Sequence, residues 1–238
     1  MSATTWTRVA VASRAAEARF EAWRAVEAQH VVSTARLVPL ADQARLEEIL
    51  DAAKPPPPPG IERLHYLLAA PFRYRPLPPG SRFRAPDDPG VLYAAHERRT
   101  ACAEAGWWRW KGFLLDSRGL EELPPARFTL FPLEMRGLAV DLRKAPFSRD
   151  RAAWTDRESY ARTQAFARVA REAGVGLVVY ESVRDPGRGA NAAALHPGAL
   201  GRVAQTRMQT WTLLVSRGGA KWIRDGAEAF SFDAAVWA

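Results

Sequence analysis

The sequence has one cysteine, Cys102, so no disulfide can form within the chain. That excludes a disulfide-stapled secreted scaffold and fits a reducing compartment. Its four histidines, His30, His65, His96 and His196, lie far apart, and no HExxH or CxxC occurs. The spacing that builds a metal site is missing, and no metal is expected. Neither GxGxxG nor GxxxxGK[ST] is present, which removes both glycine-rich ways of cradling phosphates. "YESV" at 180–183 is not the GxSxG elbow of a hydrolase. No apolar run approaches the roughly 18 residues of a membrane span, and the first residues lack an apolar leader core. A soluble, cytoplasmic protein with no membrane partner is the expectation. Lysine is scarce too, standing only at Lys54, Lys111, Lys144 and Lys221.

Arginine is abundant instead. The net charge is +8 over 238 residues, with 47% hydrophobic and 25% charged residues. This is the composition of a soluble globular protein with one sizeable domain plus an appendage, or two small domains. The positive balance favours anionic partners, and guanidinium forks suit phosphate and carboxylate. A GC-rich genome gives the same arginine excess, and the basic residues form no run.

Residues 11–29 place Phe20, Trp23 and Val26 three apart, and 40–53 repeat the pattern with Leu46, Ile49, Leu50 and Ala53. Both segments predict helices. "KPPPPPG" then forbids regular structure and reads as a stiff spacer. The expected division is a helical appendage over 1–54, a proline-rich linker over 55–60 and the main domain over 61–238. The appendage is assigned to scaffold or partner docking. A short helix over 61–70 is stopped by Pro71. A strand at 91–95 leads to a helix carrying "ERRTACAEAGWWRW". Two short strands fill 127–142, with Pro132 at an edge or bulge. A helix after 155 opens on a Thr155/Glu158 capping box and stops at Gly174. A buried strand covers 176–182, and a hairpin turns at Gly218-Gly219. Strands and helices alternate irregularly, which argues α+β.

Unusual polar residues stand where these elements end. They are Arg73 and Tyr74 in "PFRYRP", Arg82 in "GSRFR", Tyr93 in a strand, Glu104 on the next helix, Ser182 at a strand end and Asn191 in a glycine-bearing loop. Each has a plain structural explanation: strand tyrosines pack, helix glutamates face water, strand-end serines cap turns. Cys102, at a small-residue position of its helix, reads as structural.

Together, "FRYRP…GSRFR…VLYAA…RRTACAE…GLVVYESVR…GAN" resembles the RES domain, over about residues 65 to 215, with Arg82, Tyr93 and Glu104 eleven apart in turn. The resemblance implies an ADP-ribosyltransferase-like fold of the diphtheria-toxin type, a mixed sheet with helices. It implies the toxin of a toxin–antitoxin module, restrained by an Xre-like antitoxin in a hetero-oligomer. The substrate would be NAD+, cut at the nicotinamide ribose carbon, with phosphate as co-substrate. Water or a protein side chain is the alternative acceptor, the latter making the chain an ADP-ribosyltransferase.

In that chemistry nicotinamide leaves as a neutral ring, so no general acid is needed. An oxocarbenium-like ribose needs one carboxylate, and Glu104 is the candidate. Arg73, with Arg75 as its alternative, and Arg82 would grip the pyrophosphate. Tyr93 would stack on a ring or bond ribose, and Tyr74, Ser182 and Asn191 would complete the site. A non-enzymatic nucleic-acid module is the rival of another class. "WWRWKGF" at 107–113 is its one dense aromatic–basic stretch, and it reads better as core plus a wet edge. Glu181 should point away from Ser182, since neighbours on a strand face opposite ways.

Overall fold

The computed structural model describes residues 6–28, 55–56, 58–76, 78–224 and 228–237. Its longest element is β3, Glu122–Asp141. The expected pair of short strands is this single strand, and the proline explains how. Pro132 lies opposite Trp23 of β1 (Ala16–Glu27), and its carbonyl accepts from Ala204. Its nitrogen therefore faces the same side, between the end of the β7 (Gln209–Ser216) ladder at Leu130 and the β6 (Leu200–Val203) ladder that begins at Leu133. A proline is tolerated there because no ladder needs its missing N–H.

The N-terminal segment is the main correction. After a short helix α1 (Arg8–Ala12), the stretch expected to be helical is β1, antiparallel to β3 along its whole length. Burial falls on alternate residues, Ala18, Phe20 and Ala22, with Ala22 fully buried. This is a strand period. Alanine, glutamate and arginine favour helix locally, and the long β3 partner overrides them. The helix expected over 40–53 lies outside the described residues.

From β1 the pairings run through β2 (Leu92–Ala95), β5 (Ala190–Ala194) and β4 (Leu177–Glu181) back to β3, closing a ring. β3 continues beyond it to β7, β8 (Gly219–Arg224) and β9 (Glu228–Asp233). Among the described residues only β3 and β4 pair in parallel. Between them lie α4 (Arg151–Trp154) and α5 (Ala161–Glu172). The α+β expectation holds, with a mixed sheet and several helices.

The strands at 91–95 and 176–182 and the Gly174 stop (φ +76°) stand as expected, and the hairpin expected to turn at Gly218-Gly219 turns one residue earlier, at Arg217-Gly218, with Gly219 opening β8. Two local expectations fail. Helix α2 (Tyr66–Arg73) runs through Pro71 rather than stopping there. The Thr155/Glu158 box does not form: Thr155 donates to Arg151 O, and Asp156 accepts from Glu158 N and Ser159 N.

Helix α3 (Arg98–Arg109) continues into a π-helical turn, Trp110–Leu115, and packs against β1, β7 and β8. Trp110, Phe128, Trp211, Trp222 and Phe232 form the core beneath it. Cys102 is fully buried there, and burial pushes its thiol pKa up. It is an inert packing residue.

Gly189 fixes how closely the 182–189 loop approaches α3. A Cβ there would lie 2.0 Å from Thr100 Oγ1 and 2.9 Å from Asp185 Oδ2, which are themselves hydrogen-bonded at 2.7 Å. Gly189→Ala should therefore cost about 1–3 kcal/mol by overpacking, read as a lowered melting temperature. An unchanged melt would show that the loop stands free of α3.

Candidate active site

A cleft of about 410 Å³ opens where α3, β1, β2 and the loop after β4 meet. That lies within the usual size of small-molecule sites. Glu104, on the inner face of α3, is its one carboxylate held by neutral donors. Ser182 Oγ donates to Glu104 Oε1 at 2.6 Å, and Asn191 Nδ2 donates to the same oxygen at 2.6 Å. The Ser182 hydroxyl also accepts from Arg184 N (3.2 Å) and Asp185 N (3.0 Å). Its single proton is thus committed to the carboxylate, and its orientation is fixed by the turn it caps. Both partners are almost fully buried, Ser182 at 1% and Asn191 at 1% exposure. Glu104 Oε2 accepts no hydrogen bond from the described residues.

Tyr93 leaves β2 on the cleft wall, eleven residues before Glu104. Its hydroxyl meets Ser81 Oγ at 2.8 Å and accepts from Phe83 N at 2.9 Å. Burial drives its pKa up to about 12. The phenol therefore ties the 81–83 turn to the sheet. Tyr93→Phe leaves Phe83 N without its acceptor and should cost about 1–3 kcal/mol. The folded pKa lies above the ordinary value of 10.0, so the folded state holds the proton more tightly. Stability contributed by this group is complete below pH 10 and falls as pH rises towards 12. A pH series of melts should show that decline in the parent and lose it in Tyr93→Phe.

Arg82 lines the cleft. Its Nη1 donates to the carbonyls of Trp154 (2.8 Å) and Asp156 (3.0 Å), and its guanidinium lies over Tyr160 at 5.1 Å. Arg73 and Tyr74 do not reach it. Because α2 continues through Pro71, Arg73 stands at its far end and its Nε donates to Pro55 O. With Tyr74 and the alternative Arg75, it lines a separate depression beside Arg84 and Asp88. Glu181 behaves as foreseen, held by Arg151 at 2.6 and 2.8 Å and absent from the cleft lining.

Several lining residues were missed. Arg184, 3% exposed, lies over the Trp107 ring at 3.6 Å and donates to Arg157 O. Burial lowers its pKa, while Tyr160 and Glu104 oppose that shift. Tyr160 and Tyr180 add phenol surface; burial, aided by the Glu104 charge, holds Tyr180 neutral. Trp23, Arg24 and Glu27 come from β1. The "YESVRD" arginine was readable as one more cation beside Ser182; the β1 residues were hidden by the helix reading. Of "WWRWKGF", Trp110 is core, whereas Trp108 (60% exposed) and Phe113 (55%) stand at the mouth. No cluster of metal-ligating side chains occurs among the described residues. None of the described helices is long and apolar enough to cross a membrane.

A mixed-sheet α+β domain with an arginine-lined cleft around one oriented carboxylate is the class these observations define. The RES domain profile matches residues 57–216, and the chain belongs to that family. A search of curated proteins gives no match. Among solved structures, the M. tuberculosis MbcT–MbcA toxin–antitoxin complex aligns over 95% of this chain and 94% of that chain, with TM-score 0.44 and 12% identity.

Proposed function

We propose that the cleft binds NAD+ and cleaves its nicotinamide–ribose bond, with inorganic phosphate as acceptor, and that the chain is the toxin of a toxin–antitoxin pair. One observation carries the reading: a carboxylate aimed by Ser182 and Asn191, in a pocket lined by arginines whose other carboxylate, Glu27, is already held by Arg109. Cleavage at the ribose carbon develops positive charge there while nicotinamide departs as a neutral base. The C1′–N bond breaks with its electron pair going to the ring nitrogen. A phosphate oxygen then bonds to C1′, giving ADP-ribose phosphate. Oε2 of Glu104 is available for a ribose hydroxyl, and its charge stabilises the oxocarbenium ion. Arg82 and Arg184 face the pyrophosphate, and the aromatic mouth offers surface to a base. An ADP-ribosyltransferase-like fold suits this ligand.

The test is nicotinamide release by purified protein with and without phosphate. Release that rises with phosphate, with ADP-ribose phosphate as product, supports phosphorolysis. Label from NAD+ appearing on protein supports the transferase reading, and no NAD+ loss rejects both. Unrestrained NAD+ loss would harm the cell, so an antitoxin of the Xre-like kind is the expected partner. Co-expression should give a complex whose NAD+ consumption is suppressed.

A further inference from the structure

We infer that Arg24, on the N-terminal strand β1 and outside the matched residues 57–216, is an anion-binding residue of this cleft, taking a phosphate group of the ligand. This deepens the proposed function and rests on it for the identity of the ligand.

Many arginines of the chain are paired with carboxylates. On β1 itself, Arg19 meets Glu134 at 3.1 Å, and at the cleft rim Arg109 meets Glu27 at 2.6 Å. Arg24 has no carboxylate partner among the described residues. Its Nη1 is anchored on the Tyr93 carbonyl at 2.7 Å, and its Nε is buried with no acceptor. Arg82 and Arg184 share the lack of a carboxylate partner among the described residues: Arg82 bonds to carbonyls, Arg184 to a carbonyl and the Tyr160 side chain, and both lie over aromatic rings. Three cations with no ion pair among the described residues thus line the cleft that holds the oriented Glu104 carboxylate. Burying a cation without a counter-charge is costly, and the cost is offset when an anion enters. A pyrophosphate-bearing ligand brings two negative charges to the three arginines.

The Tyr93 anchor explains the geometry. It holds the guanidinium against β2, the strand that leads to Glu104, so a phosphate bound there is registered against the carboxylate. A loose surface arginine would attract anions without placing them.

The test is calorimetric binding of inorganic pyrophosphate to the full chain, its Arg24→Gln variant and the Arg19→Gln control on the same strand. Arg24→Gln should bind at least tenfold more weakly, while Arg19→Gln binds as the parent does. Equal binding by Arg24→Gln, or no binding by the parent, overturns the inference. Should the glutamine variant fail to fold, Arg24→Lys replaces it. Lysine keeps the charge as a point donor and should bind roughly 3–10-fold more weakly; unchanged affinity overturns the inference. Because pyrophosphate binding needs no turnover, a protein that binds it through Arg24 yet leaves NAD+ intact sinks the proposed reaction alone.

Discussion

Glu104→Gln should leave the fold intact and reduce NAD+ consumption about 10²–10³-fold, the usual cost of removing one preorganised electrostatic group from a reacting centre. The substitution keeps shape and volume. It removes the charge and replaces acceptor-only oxygens with one acceptor and one donor. Ser182 and Asn191 both donate to Oε1, so a glutamine can still satisfy them by turning its carbonyl towards them. What it cannot supply is negative charge beside the ribose. The expected pattern is therefore a fall in kcat with little change in melting temperature. Ser182→Ala should act less strongly and differently. It leaves the charge but frees its orientation, and it strips the acceptor from Arg184 N and Asp185 N, so stability falls as well. Parent-like turnover by a folded Glu104→Gln protein would remove the carboxylate from the mechanism.

How much of this site the sequence shows depends on how local each relation is. Tyr93 and Glu104 were legible because strand, turn and helix are contiguous: β2 leads out and α3 leads back within eleven residues. Ser182 was legible because a strand end is a local signal; Asn191, expected on a glycine-bearing loop, stands instead on strand β5. That both would grip Glu104 follows from β4 pairing with β5, where Tyr180 faces Asn191. The placement of Arg73 turns on one residue, Pro71: proline reads locally as a helix stop, yet it lies inside α2. A helix ending earlier would have left Arg73 on a free loop. The largest loss was β1. Phe20, Trp23 and Val26 fit one helical face, and nothing within ten residues contradicts it. The contradiction lies more than a hundred residues away, in β3.

That correction has a large consequence. Were residues 1–54 a detachable appendage, a chain beginning at Pro55 would fold and keep its activity. The structure leads to the opposite result. Such a chain loses β1, and with it the whole ladder along one side of β3. It uncovers Phe131, Leu133 and Met135, now at 0%, 1% and 0% exposure, which share a core with Ala22. It also breaks the ring at the β1–β2 pair, Trp23 with Ala95, and removes Arg24 from the cleft wall. A lost backbone hydrogen bond costs about 0.5–1.5 kcal/mol net, and uncovered apolar side chains add about 1.5–3 kcal/mol each. A domain stable by about 5–15 kcal/mol does not survive the removal of a full strand. The exposed edge of β3 would also invite pairing with other chains. The truncated chain should be insoluble, or soluble with dye-binding apolar surface, no cooperative melt and no NAD+ consumption. Adding back a peptide of residues 14–28 should restore part of the melt, because it replaces the missing strand. A chain from Pro55 that melts cooperatively and consumes NAD+ would mean that β1 covers the sheet without completing it.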